Sequence, residues 1–353
     1  MNQTIRVNTA SKAYDVIIGT GLLDRAGELS KTVIKPRKTV IVSDNNVSRL
    51  YLSRLKSSLE KAGFEVISFI FPAGEQSKNS ETLFELLEYM AENGLTRNDA
   101  VFALGGGVTG DVAGFAAAIY MRGIRFIQLP TTLLAAVDSS VGGKTGIDLK
   151  AGKNLAGAFW QPELVVCDTD LLNTLPEVQI SDGWSEIIKY AIIRDRELFD
   201  ILLNDTKPEP GAVIARCVGI KRDIVTEDEK ETGLRMLLNF GHTVGHAIEK
   251  CSDYRISHGQ AVAIGMAVIT RAAVKMGLCG PDCLVGLLSL LNKYKLPDST
   301  DIPGDKLFEA MLSDKKRGSG GLTLVVPEKI GRCVLKTMSL DEVRNMLRLG
   351  LSA

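Results

Sequence analysis

The sequence has no excess of either charge: 42 Lys and Arg stand against 42 Asp and Glu in 353 residues. A general nucleic-acid binder needs a basic excess to displace counterions from phosphates, so that class is excluded, whereas a local basic pocket for a small anion is not. There is no run of about 18 apolar residues, so no membrane span is expected. The opening residues Met1-Asn2-Gln3-Thr4-Ile5-Arg6-Val7 lack the charged-then-apolar pattern of an export signal. The six cysteines form no Cys-x-x-Cys pair, and Cys279 and Cys283, on either side of Gly280 and Pro281, read as two thiols at a helix junction rather than as a metal clasp. Reduced thiols without an export signal lead to the expectation of a cytoplasmic protein. Repeats and low-complexity tracts are also missing. Histidine is scarce: there are three, His242, His246 and His258.

What is present is enough apolar residue, 45%, to bury a sizeable core, and a length suited to two domains. The first half alternates short β-branched runs with helical spacing. Val16–Ile18, Thr39–Val42, Glu65–Phe71, Ala100–Leu104 and Phe126–Pro130 read as strands. Helices are expected over Val47–Lys61 and Ser80–Glu92, the latter with an apolar stripe of Leu83, Phe84, Leu87 and Met90 capped by Ser80. Such alternation predicts an α/β domain with a Rossmann-like parallel sheet over residues 1–180. From about Ser181 the strands nearly vanish. Helical segments are expected over Asp182–Leu203, Gly211–Glu227, Leu237–Lys250, His258–Met276, Pro281–Tyr294 and Leu340–Leu347, giving an all-α C-terminal domain over 181–353. Leu322–Pro327 is a late exception that reads as a strand or hairpin. A ligand cleft is expected between the two domains.

Gly105-Gly106-Gly107-Val108-Thr109-Gly110-Asp111 follows a strand and precedes a small-residue helix, Val112–Tyr120. Gly105, Gly107 and Gly110 fit G-x-G-x-x-G. Glycines admit a phosphate close to the backbone, and a helix N-terminus offers it free N–H groups. A close-packed turn would need glycines too. The wiring differs from an ordinary dinucleotide fold: the motif follows the fourth or fifth strand, and no acid lies about 20 residues on. Asp44, at the end of an earlier strand, is the better ribose candidate. Two further loops end strands, Gly74-Glu75-Gln76-Ser77-Lys78 and Asp138–Gly146. In the second, Gly142-Gly143-Lys144-Thr145 resembles a P-loop tail. Asp138 occupies the place of its required glycine, so triphosphate hydrolysis is excluded, and what is left is a lysine and hydroxyls suited to an anion.

The three histidines cluster as a metal site would. If helical, Arg235, Asn239, His242 and His246 form one polar stripe among apolar neighbours, which is costly unless it lines a site. Neutral imidazole is a common metal ligand, and a carboxylate commonly completes the set. Glu186, in Trp184-Ser185-Glu186-Ile187-Ile188-Lys189, is the remote carboxylate candidate, with Lys189 on the same helix face. Spacing alone does not choose which two histidines bind.

Taken together, Gly-Gly-Gly-Val-x-Gly-Asp, the stretch Leu129–Asp148 (Leu-Pro-Thr-Thr-Leu-Leu-Ala-x-Val-Asp-Ser-Ser-Val-Gly-Gly-Lys-Thr-Gly-Ile-Asp) and Leu-Asn-Phe-Gly-His-Thr-x-Gly-His-Ala-Ile-Glu resemble the 3-dehydroquinate synthase family, over about Val16–Gly331. The resemblance implies a dehydroquinate synthase-like fold and one zinc or cobalt ion held by Glu186, His242 and His258. It implies NAD contacts from Asp44, Gly74, Glu75, Gln76, Lys78, Gly106, Gly107, Val108, Gly110, Asp111, Thr131, Thr132, Lys144 and Lys153. The substrate pocket would use Asp138, Lys144, Asn154, Lys189, Lys221, Arg235, Asn239 and His246, with Lys316 in preference to Lys315. Arg122 would reach the phosphate from the partner subunit of a homodimer. Trp184-Ser185 departs from the family, which more often has a smaller residue and Ala there.

The implied reaction turns 3-deoxy-D-arabino-heptulosonate 7-phosphate into 3-dehydroquinate and phosphate. Its stages are oxidation at C5, phosphate elimination, return of the hydride, ring opening and aldol closure, with no net redox change. The rivals are a sister cyclase, acting on an aminodehydroquinate precursor or sedoheptulose phosphate, and a metal-dependent polyol dehydrogenase. Retained Arg235, Asn239 and His246 favour the heptulosonate substrate, and the Asp-Ser-Ser-Val-Gly-Gly-Lys-Thr block speaks against the dehydrogenase.

Overall fold

The computed structural model describes residues 2–314 and 321–352. It forms two compact units, Met1–Leu175 with Lys221–Lys230, and Pro176–Ile220 with Glu231–Ala353. The first unit runs β1 (Gln3–Asn8), β2 (Ala13–Gly19), α1 (Ala26–Lys31), β3 (Lys38–Asp44), α2 (Asn45–Lys61), β4 (Glu65–Phe71), α3 (Ser80–Glu92), β5 (Ala100–Gly105), α4 (Gly107–Ile119), β6 (Arg125–Pro130), β7 (Lys144–Leu149), β8 (Gly152–Phe159) and β9 (Leu164–Asp168). Seven of these strands form one sheet in the order β1-β2-β9-β6-β5-β3-β4, parallel throughout except for β1 against β2.

Strand β5 is buried along its whole length, which is why it reads as a continuous apolar run. Alternate side chains leave it in opposite directions. Phe102 and Leu104 pack with Tyr51, Leu55 and Leu59 of α2, while Val101 and Ala103 pack with Leu86 and Met90 of α3 and Val112 and Ala116 of α4. Burying a side chain such as Phe102 contributes on the order of 2 kcal/mol. Strand β3 lies between β4 and β5, so the chain leaves it on one side and returns on the other. Ligands of open parallel sheets bind beyond strand C-termini at such reversals. Asp44 ends β3 there, and Gly105 ends β5.

Several local expectations change. The stripe of α3 is rotated: Leu83, Leu86 and Met90 are buried while Phe84 is 61% exposed, because an i, i+3, i+7 set fits the helix equally well. Its cap is Asn79, which accepts from the Thr82 N–H at 2.9 Å, not Ser80. Helix α4 starts at Gly107, so most of the expected glycine loop is its first turns. Asp138–Gly146 is not a simple loop either. It takes in the end of a π-helical turn, Ala135–Ser139, and the start of hairpin β7–β8.

The second unit runs α5 (Glu177–Arg194), α6 (Arg196–Asn204), α7 (Pro210–Glu227, whose residues from Lys221 belong to the first unit), α8 (His242–Cys251), α9 (His258–Lys275), α10 (Pro281–Lys293), α11 (Gly304–Asp314), β10 (Leu322–Lys329), β11 (Arg332–Met338) and α12 (Leu340–Leu351). The expected late strand is β10, paired with β11. The single segment expected over Asp182–Leu203 breaks at Asp195, whose backbone is extended and whose carboxylate accepts from the Leu198 N–H at 2.9 Å to cap α6. Helix α9 is buried on nearly every side. Glycines let α8 approach it at backbone distance: a Cβ on Gly245 would lie 3.1 Å from the Ala261 backbone, and one on Gly265 would strike the Gly241 carbonyl. No helix among the described residues is long and apolar enough to cross a membrane.

Candidate active site

Helix α5 carries Glu186 into the apolar interior of the second unit with no solvent exposure. Lys189, one turn later and 1% exposed, forms an ion pair with it. Two imidazoles face the same carboxylate oxygen. His242 Nε2 lies 3.4 Å and His258 Nε2 3.6 Å from Glu186 Oε1, and the three donor atoms lie within 4.8 Å of one another. Both rings are held through Nδ1: that of His242 is 3.2 Å from the Phe240 carbonyl, and that of His258 is 3.3 Å from Glu249 Oε2. A ring that donates from Nδ1 to a carbonyl keeps its Nε2 lone pair for a ligand. Burial drives His242 down to about 3, past the opposing pull of Glu186, so it is neutral and ready to coordinate. Burial also opposes charge on His258, but Glu186 and Glu249 outweigh it and raise that ring to about 10. One carboxylate oxygen and two imidazole nitrogens suit a divalent zinc or cobalt ion with coordination positions left open for substrate.

The four residues of the expected polar stripe do not lie on one helix. Leu234–Asn239 is a 3₁₀ turn, and Gly241, at φ 79°, turns the chain before α8 begins at His242. Arg235 is nonetheless 1% exposed, and Asn239 Nδ2 donates to Glu231 Oε1 at 2.9 Å. The His246 ring lies 5.5 Å from that of His242 and 6.0 Å from that of His258. Two carboxylates bonded to these residues, Glu231 to Asn239 and Glu249 to His258, escaped the sequence reading. Glu231, in left-handed backbone at φ 60°, sits in a charged run that spacing cannot tell from surface. Glu249 stands seven residues after His242 on an apolar helix, a repeat that does point to it. Trp184 stacks on Tyr294 at 4.2 Å, and Ser185 donates to the Asp182 carbonyl at 2.8 Å, so both residues have local partners.

In the first unit, Gly106 is the N-cap of α4, and Gly107, Val108, Gly110 and Asp111 stand in its first turns. A Cβ on Gly110 would lie 2.8 Å from Gln128 Oε1, the end of a buried side chain. Asp44 caps α2, Oδ1 accepting from the N–H groups of Asn46 and Val47 at 2.8 and 3.0 Å. Lys78 is buried, with Nζ 2.6 Å from Asp111 Oδ2 and 2.5 Å from Asn154 Oδ1. Burial opposes its charge, but Asp111 and Glu75 more than compensate and raise it. Asn154 adopts left-handed backbone at φ 56°. Lys153 pairs with Glu75 at 3.1 Å, beside Gly74 at φ 117° and Gln76, whose Nε2 donates to the Ala73 carbonyl. Thr131 follows β6 and donates its N–H to the Gly105 carbonyl at 2.9 Å, while its buried Oγ1 makes no hydrogen bond among the described residues. Thr132 Oγ1 accepts from the Ala135 N–H at 3.1 Å. Lys221 binds Asp138 in the π-helical turn, and Lys144 opens β7 with an exposed side chain. Arg122 is exposed on a turn in which Met121 and Arg122 are both left-handed. Lys315 and Lys316 lie outside the described residues.

Comparison with known proteins decides the family. The 3-dehydroquinate synthase N-terminal model matches residues 68–182, and the C-terminal model matches 183–317. The chain belongs to the 3-dehydroquinate synthase family. The family's 3-dehydroquinate synthase of Lactococcus lactis subsp. cremoris is 44% identical over 357 residues, covering 98% of this chain and 99% of that one. Two solved sugar phosphate cyclases are similar. ValA, the 2-epi-5-epi-valiolone synthase of Streptomyces hygroscopicus subsp. jinggangensis 5008, solved with NAD+ and Zn2+, is 29% identical with TM-score 0.88 over 98% and 99% of the two chains. A 2-deoxy-scyllo-inosose synthase, solved with carbaglucose-6-phosphate, NAD+ and Co2+, is 28% identical with TM-score 0.87 at the same coverage. The dehydroquinate synthase-like fold expected from the motifs is therefore the fold of this chain.

Proposed function

We propose that this member of the 3-dehydroquinate synthase family converts 3-deoxy-D-arabino-heptulosonate 7-phosphate to 3-dehydroquinate and phosphate. The step belongs to the shikimate pathway of aromatic amino acid biosynthesis and uses NAD with zinc or cobalt. The observation that carries this is identity of 44% to a 3-dehydroquinate synthase along nearly the whole chain, against 28% and 29% for the sister cyclases. Convergence of Glu186, His242 and His258 supports the metal. The buried Thr131 Oγ1, unbonded among the described residues, and the α4 N-terminus at the strand reversal support the dinucleotide.

When bound, the metal would act as a Lewis acid on a substrate hydroxyl, and NAD would take up and return one hydride. The protein's own residues then have physical tasks. Glu186, His242 and His258 would hold the metal with open positions. Lys144, Lys189 and Lys221 would balance growing negative charge. Arg235 and Asn239 would hold the carboxylate or hydroxyls, joined by Asp138, Asn154 and Lys316. His246 would bind near the leaving phosphate and pass a proton. NAD would be contacted by Asp44, Gly74, Glu75, Gln76, Lys78, Gly106, Gly107, Val108, Gly110, Asp111, Thr131, Thr132, Lys144 and Lys153.

Residues 1–180 would serve NAD, and 181–353 metal and substrate. We place the protein in the cytoplasm as a homodimer in which Arg122 serves the partner's site. The six free cysteines and the exposed left-handed turn bearing Arg122 support those readings. The test is product analysis: 3-dehydroquinate and phosphate appear in equal amounts from the heptulosonate phosphate, cease with a chelator and return with zinc or cobalt. Turnover of sedoheptulose phosphate instead would make this a sister cyclase.

A further inference from the structure

His258 stands at the first position of α9, and its side chain is 34% exposed against 12% for His242. A ligand at a helix end needs something to fix its ring. The two nitrogens of His258 divide between two carboxylates: Nε2 faces Glu186 Oε1 at 3.6 Å, and Nδ1 faces Glu249 Oε2 at 3.3 Å. Glu249 is 3% exposed on α8. A carboxylate buried there is costly unless it is paired and hydrogen-bonded. His242 shows the same arrangement with a different acceptor, the Phe240 carbonyl at its Nδ1. Both rings are thus gripped through Nδ1 and present Nε2 to one oxygen.

We propose that Glu249 is the positioning residue of His258. Its carboxylate accepts the Nδ1–H, fixes that tautomer and the ring rotation, and aims the Nε2 lone pair at the cation shared with Glu186 and His242. The proposal rests on the metal reading above. Asp182 secures the backbone side of the same ligand. It lies one helical turn before Glu186 on α5, accepts the Ser257 hydroxyl at 2.5 Å, and takes backbone N–H bonds from Gly259 and Gln260 at the head of α9. Glu249 also falls in a second donor group, His246, Glu249 and His258. Glu249 faces the Nδ1 of His258, whereas the Nε2 atoms of His258 and His242 converge on Glu186, so we assign Glu249 to orientation, not ligation.

The experiment measures zinc affinity of metal-free parent, Glu249→Ala and Glu249→Gln proteins by competition with a chromophoric chelator, alongside the visible spectrum of each cobalt form. Loss of a carboxylate that orients a metal-bound histidine costs roughly 10–100-fold in affinity. The expected result is that loss in E249A, a smaller one in E249Q, which keeps an acceptor oxygen, one zinc per chain in both, and a changed cobalt spectrum. E249Q is nearly isosteric and reports even where E249A fails to fold, as circular dichroism would show. Parent-like affinity in folded variants overturns the proposal. So does complete loss of zinc in E249Q with one zinc retained by His242→Ala, which would make Glu249 a ligand. A parent protein that binds no zinc or cobalt removes the metal reading itself and the proposal with it.

Discussion

Lys221 is bound twice by a single residue: its ammonium donates to the Asp138 backbone carbonyl at 2.7 Å and to the Asp138 carboxylate. Asp138 sits in a π-helical turn, an irregularity that is frequent at functional sites. The pair fixes a positive charge, 8% exposed, against a loop rich in small residues.

Lys221→Met removes that charge and leaves the helix intact. The variant should show a lower kcat and a higher KM, with kcat/KM falling on the order of 10²-fold or more, the scale for losing one preorganised donor. Steady-state phosphate release measures it, and near-normal turnover would remove Lys221 from the substrate site.

Lys189→Met tests the buried pair with Glu186. Breaking such a pair leaves a charge in the interior and costs about 3 kcal/mol or more. The metal-free variant should melt well below the metal-free parent. Zinc should narrow the gap, because a cation at Glu186 replaces the lost ammonium. Equal melting of the two metal-free proteins would contradict the pairing.

Asp195 gives the pH dependence. Burial raises its carboxyl, but hydrogen bonds from Arg216 and the Leu198 N–H outweigh this and hold it below the usual carboxylate value. A depressed acid stabilises the fold above its unfolded pKa, about 4, and that contribution is lost as pH falls through the lower folded value. Asn caps helices as well as Asp, so Asp195→Asn isolates the charge. The variant should lose about 1 kcal/mol at pH 7, and the difference should shrink below about pH 4. Melting curves across that range check it, and a pH-independent gap would assign the effect to packing.

The sheet was legible because β3, β5 and β6 are apolar on both faces, and the histidine cluster because histidine is so rare in this chain. Strand β9, the buried run Leu164–Asp168, has the continuous apolar pattern of a strand and was overlooked, whereas hairpin β7–β8, rich in glycine and charge, carries no pattern that stands out from loop. The exposed Phe84 shows the limit of helical spacing, which admits two neighbouring stripes and lets packing choose. Arg235 and Asn239 do not share one helix face with His242, because the left-handed turn at Gly241 separates their 3₁₀ turn from α8. Glu249 was readable by its seven-residue spacing from His242, whereas Glu231 becomes visible only when Asn239 is seen bonded to it.

In the proposed reaction NAD is consumed and regenerated within each turnover. Phosphate and NADH should be followed together with the heptulosonate phosphate in excess and NAD limiting. Many phosphates per NAD, with no accumulation of NADH, is the predicted result. NADH rising in step with substrate consumption, without phosphate release, would contradict it and make the protein a dehydrogenase.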